Sequence, residues 1–83
     1  MSAADTDTIN GYPVIASWST FAGSHRRAGR LVVVDRLAEF EERYVVAWHG
    51  NLDVNWTAPD YCLDLEEAAR VFVQRVEAEV RAS

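Results

Sequence analysis

One cysteine, Cys62, and two histidines, His25 and His49, are the side chains of this sequence best suited to soft-metal binding or nucleophilic catalysis. A structural zinc site needs four ligands, mostly Cys and His at short spacings. No two of these three residues stand close together in the chain, so a zinc signature is missing. Asn51-x-Asp53-x-Asn55 has the spacing of the first three ligands of a calcium loop. Trp56, however, stands where that loop requires glycine, and Cys62 where it requires a bidentate Glu. Strand alternation accounts for the same polar positions, and no metal or other cofactor is expected.

Catalysis through a nucleophile would need Cys62 or a serine beside a base. Cys62 lies between Tyr61 and Leu63, just ahead of an expected helix, where a helix N-terminus can lower a thiol pKa. Free cysteine more often serves as a small buried hydrophobe, and Cys62 is read that way. The sequence has no glycine-framed serine, no glycine-rich phosphate loop and no HExxH pattern. All eight basic residues are arginine, which removes the Walker A loop, Schiff-base chemistry and the Ser-Lys nucleophile. Glu39, Glu41 and Glu42 read as a solvated turn beside Arg36 and Arg43. The chain is therefore expected not to be an enzyme. Asn55-Trp56-Thr57 is a formal glycosylation sequon, but the start of the chain shows no secretory signal to give it meaning.

Binding chemistry has two candidate sites. His25-Arg26-Arg27-x-x-Arg30 is the basic cluster, on a glycine-flanked loop, and arginine makes bidentate bonds to phosphate or carboxylate. The opposing reading is a solvated loop that balances an acidic chain. Thirteen acids against eight bases leave a net charge of −5, which repels a nucleic-acid backbone at long range. The second candidate is aromatic: Trp18, Trp48 and Trp56 on three different expected strands, with Tyr44 on the same strand as Trp48. Exposed aromatic clusters mark interaction surfaces, whereas core packing is the bland alternative for each ring.

The elements that position these residues follow from pattern. Eighty-three residues make one small domain. Residues 1–10 are polar and acidic and read as a disordered tail, leaving residues 11–83 as the domain. Tyr12 to Phe21 alternates with period two and reads as a strand, with Pro13 at its entry. Leu31-Val32-Val33-Val34 reads as a well-buried strand and Arg43 to His49 as another strand. Between them, Asp35 to Arg43 is either an extended hairpin loop or a short helix. Gly50-Asn51 suggests a tight turn into Leu52-Asp53-Val54-Asn55-Trp56-Thr57, where alternation suggests a strand that Ala58-Pro59-Asp60 ends.

From Asp64 onward the sequence predicts an amphipathic helix of about 18 residues. Asp64 and Glu67 have the capping-box spacing. Leu65, Ala69, Phe72, Val76 and Val80 form its apolar stripe, widened by Ala68 and Val73, with Glu66–Arg70, Arg75–Glu79 and Glu77–Arg81 as i,i+4 pairs. The expected fold is α+β: an antiparallel sheet of three or four strands with the helix packed on one face. One helix covers one face, so the opposite face is expected to be open and to carry the surplus aromatics. The expected role is a small cytoplasmic protein, bacterial or phage-borne, that binds another protein or itself through that open face. Nucleic-acid binding through Arg26, Arg27 and Arg30, or acidic mimicry of nucleic acid toward a basic partner, are the alternatives. No membrane partner and no small-molecule substrate is expected.

Overall fold

Leu31-Val32-Val33-Val34 and Val45-Val46-Ala47-Trp48 place apolar side chains on both faces of the chain, a pattern that forms strands buried front and back. The computed structural model, which describes residues 7–19 and 29–82, pairs these two runs at the centre of a sheet. Leu31 lies opposite Trp48, Val32 opposite Ala47, Val33 opposite Val46 and Val34 opposite Val45. None of the eight is more than 6% exposed. The described residues form the strands β1 (Thr8–Ile9), β2 (Tyr12–Ser19), β3 (Gly29–Asp35), β4 (Tyr44–Gly50) and β5 (Thr57–Cys62). They pair antiparallel in chain order, and one helix follows, α1 (Leu65–Ala82). The fold is α+β with a C-terminal helix on one face, as the pattern implies, but the sheet has five strands rather than three or four.

The extra strand comes from the segment read as tail. Asn10-Gly11, with φ of 57° and 84°, makes a two-residue turn that folds Thr8–Ile9 back onto Tyr12 and Pro13. Such positive φ values suit an Asn-Gly hairpin turn. Ile9 is 3% exposed, so residues 7–10 belong to the folded unit. Residues 1–6 lie outside the described residues.

β2 does not keep one face throughout. Its register against β3 slips between Val14 and Ala16, a bulge centred on Ile15. A bulge inserts one residue and flips the alternation beyond it. Tyr12 and Val14 therefore pack on one face of the sheet, while Ala16 packs on the other.

The link from Asp35 to Arg43 is a hairpin connection that also contains a short helical element, one 3₁₀ turn at Leu37–Glu39. The expected strand over 52–57 is not formed. Asn51 and Leu52 occupy a turn closed by Asp53 N–H donating to the Gly50 carbonyl (3.0 Å), and Leu52 and Val54 stand 97% and 87% exposed. Alternation there has no apolar surface to face. The strand runs instead through Ala58-Pro59-Asp60, the expected breaker. β5 is the last strand of the sheet, where proline's missing N–H leaves no ladder bond unmade.

The start of α1 follows the capping prediction. Glu67 N–H donates to Asp64 Oδ1 (2.8 Å), and Leu63 N–H donates to Glu67 Oε1 (2.9 Å). Only Leu63 and Asp64 separate β5 from the helix, so α1 begins at the β5 edge of the sheet. A second anchor holds it there. One terminal nitrogen of Arg75 donates to the carbonyls of Val46 (2.9 Å) and Ala58 (2.8 Å) and reaches Asp60 (3.2 Å), at the irregularity in β4–β5 pairing. Arg75 is thus turned to the sheet rather than outward as a surface charge. A helix about 10 Å across covers two to three strands spaced about 4.8 Å apart. Tethered at β5, α1 packs on β5, β4 and β3, and falls short of β2.

Candidate functional site

The shortfall leaves an apolar groove between α1 and β2, with a cavity volume of about 520 Å³. Ile15 and Ala16 of β2 form one wall, and Leu65, Ala69 and Val73 of α1 form the other. Val33 and Phe72 also line it, with Asp35 and Tyr44 from the paired ends of β3 and β4. Ile15, Leu65 and Val73 are each about half exposed (46%, 53% and 55%), although all three are large apolar residues. The expected helix stripe is in effect split in two. Ala68 and Phe72, joined by Val71 from outside the expected stripe, pack on the sheet core with Val33, Val46 and Cys62, while Leu65, Ala69, Val73 and Val80 flank the open groove or the solvent beside it.

Charge in the groove lining is compensated. Asp35 accepts from Arg43 Nε (2.7 Å) and Nη2 (3.0 Å), and from Leu37 N–H (2.7 Å). The Arg43 guanidinium chiefly, then the backbone N–H, holds the Asp35 carboxyl below its ordinary pKa against the opposing effect of burial. Along the outer side of α1, at roughly 100° per residue, Glu66, Arg70, Glu77 and Arg81 form a charged strip beside Val73. All four are exposed, and none takes part in an ion pair with a described residue. The i,i+4 pairs Glu66–Arg70 and Glu77–Arg81 are thus not closed.

The face expected to be open is closed. Ile9, Val32, Val34, Val45 and Ala47 form a second core on the side away from the helix, none more than 3% exposed. Tyr12, Val14 and Trp56 pack against it. The sheet curls far enough that the β1–β2 turn meets the segment before β5: Asn10 Nδ2 donates to Asn55 Oδ1 (2.7 Å). The Tyr12 hydroxyl also donates to Glu39 (2.8 Å).

The aromatic residues consequently make no single patch. Trp48 is 6% exposed and pairs opposite Leu31, as does Trp18 from β2. Tyr44 packs with the helix-side core. Trp56 packs on the opposite face. Trp18, Tyr44 and Trp56 are half-buried. Three of the four thus share the helix side by register, and the fourth is on the other side.

Of the basic cluster, His25, Arg26 and Arg27 lie outside the described residues. The Arg30 guanidinium is engaged within the chain, donating through both terminal nitrogens to the Asp7 carboxylate (2.5 and 2.9 Å). That hydrogen-bonded pairing holds the Asp7 carboxyl below its ordinary pKa. His49 Nε2 lies 2.9 Å from the Asp53 carbonyl. Cys62 is buried, and burial first, then the charges of Glu67, Asp60, Asp64 and Glu42, pushes its thiol pKa up. That is the opposite of what an activated nucleophile needs. Among the described residues no three His, Cys, Asp or Glu side chains converge as metal ligands, and no helix is long and apolar enough to cross a membrane.

Sequence reasoning missed the groove because it treated the helix stripe as wholly core-facing. Ile15 carried no distinguishing signal; it reaches the groove wall through the bulge. Comparison with protein-family models, with curated proteins and with solved structures found no match. The class that fold and site define is therefore architectural: a curled antiparallel meander with one edge-tethered helix and an uncovered apolar groove.

Proposed function

We propose that this chain is a small non-catalytic interaction module that binds protein through the groove between α1 and β2. The observation that carries this reading is the half exposure of Ile15, Leu65 and Val73 around one continuous apolar cleft in so small a domain. Burying them on a partner recovers roughly 25 cal/mol for each Å² of apolar surface removed from water. Contiguous exposed apolar surface of this kind marks contact sites. The raised thiol pKa of Cys62 adds support, since it disfavours the one cysteine as a nucleophile. The site is thus shifted from the face opposite the helix to the rim of the helix face.

The test is a photo-crosslinking amino acid at Val73, in the groove, and at Glu41, on the exposed hairpin loop, introduced into the chain in its native host. Discrete adducts from position 73 and none from position 41 are the expected result. Absence of any adduct at position 73 overturns the proposal.

A further inference from the structure

We propose that the occupant of the groove is a second copy of this chain, docked with its α1 antiparallel to the first across a two-fold axis near Val73. The inference rests on the interaction reading above and names its partner. Its basis is the order of the exposed charges. Along α1 the exposed strip reads Glu66, Arg70, Glu77, Arg81: minus, plus, minus, plus. A two-fold axis between residues 73 and 74 brings residue i of one helix beside residue 147 − i of the other. Glu66 then meets Arg81 of the second copy, and Arg70 meets Glu77, each pair occurring twice by symmetry. An isologous interface requires this self-complementarity. A parallel arrangement in register sets like charge against like.

The apolar residues agree with the same axis. Val73 lies within one position of it, so the two Val73 side chains meet at the centre. Val80 of one copy lies two positions, about 3 Å along the axis, from Ala69 of the other, and each Leu65 lies near the far end of its partner helix. Helix geometry places Glu66, Arg70, Glu77 and Arg81 all on one flank of Val73 and Leu65, Ala69 and Val80 on the other. A two-fold axis perpendicular to the helix pair keeps each flank with its own kind. The charged flanks pair at the solvent side, and the apolar flanks close over the groove, where Ile15 becomes covered. A helix of 18 residues offers a strip about 27 Å long. At a helix width of about 10 Å the strip covers about 270 Å², less than the roughly 800 Å² per partner of a standard stable interface, so the dimer belongs to the weak, micromolar class.

Sedimentation equilibrium of the full chain tests this. A reversible monomer–dimer equilibrium with a dissociation constant in the micromolar range, weakened by 1 M salt, is expected. Glu66→Arg alone and Arg81→Glu alone each set like charges together and weaken self-association about tenfold. An equimolar mixture of the two variants restores it, because Arg at 66 of one chain then faces Glu at 81 of the other. Both positions are exposed and form no ion pair with a described residue, so circular dichroism is unchanged. A chain that stays monomeric at millimolar concentration overturns the proposal. So does a dimer indifferent to both charge swaps, or a mixture that fails to recover. The crosslinking result separates the two levels. Position-73 adducts at twice the chain mass support the dimer. Adducts of another mass overturn the dimer and leave the interaction module standing.

Discussion

The two faces of the sheet are covered by different means, and the face with less regular structure over it is the better sealed. On the helix side, α1 buries Val33, Val46, Cys62 and Ala68 but stops short of β2, leaving Ile15 and Val73 in a cleft. On the other side no helix of the described residues lies over the sheet, yet Ile9, Val32, Val34, Val45 and Ala47 are shut beneath Tyr12, Val14 and Trp56. A helix is a rigid cylinder of fixed width, and its position here is set by tethers at one edge. A curling sheet adjusts its own strands and turns to the surface beneath. The comparison teaches that counting helices is a poor way to count covered faces.

The sharpest way to break this comparison is to place a charge on each side. Val45→Asp buries an unpaired carboxylate in the helix-free core and is expected to cost more than about 4 kcal/mol, abolishing the urea transition. Val73→Asp, in the cleft, is expected to change the stability of the monomer by no more than about 0.5 kcal/mol. Equal costs would mean that the helix-free face is as open as the groove.

Arg75→Met probes the tether that offsets α1. It leaves the Val46 and Ala58 carbonyls without their charged donor, and a loss of about 2 kcal/mol is expected in urea melts. Hydrogen exchange in α1 should rise while exchange in β3 rises less. Uniform loss of protection would show that the tether supports the whole sheet rather than the helix position.

Asn10→Ala probes the clasp on the opposite side. It removes the bond to Asn55 and places alanine at a φ of 57°, for an expected cost of about 1 kcal/mol. Trp56 fluorescence should shift to the red, and a Trp56→Phe control identifies the emitting ring.

The smallest effect expected is acid sensitivity on each face. Asp7 and Asp35 have pKa values lowered in the fold, so each contributes stability above its unfolded pKa of about 4 and loses it as pH falls through the lower folded value. Asp7→Asn and Asp35→Asn should each flatten the fall in stability between about pH 4 and pH 2. At neutral pH each costs about 0.5 kcal/mol, on the scale of partly exposed ion pairs. Unchanged slopes in both variants would remove these carboxylates from the acid transition.

Local signals carried much of this fold. Asp64 and Glu67 announced the start of α1 because capping is a contact between residues three apart. The valine run of β3 announced a buried strand because its apolar run is continuous on both faces, and the run from Tyr44 announced the strand β4 without its burial. Asn10-Gly11 carried an equally local hairpin signal that the acidic composition around it obscured. Leu52, Val54 and Trp56 carried a false one: period two describes a strand only when a surface lies along one side. Pro59 read as a breaker because the sequence does not state which strand is last in the sheet.

The groove lay beyond such signals. Its walls join Ile15 to Val73, far apart in sequence, and depend on a bulge at Ile15 and an arginine reaching across two strands. By itself the sequence determined the identity of the central strands, the helix and its first turn, and an acidic chain whose only cysteine suits a core. Tertiary structure alone decided which part of the helix stripe is buried, which face of the sheet is closed, and where apolar surface remains. The reason is that periodicity records which side chains share a side, while the angle and offset of one element on another are set by tethers and curvature that only the assembled chain possesses.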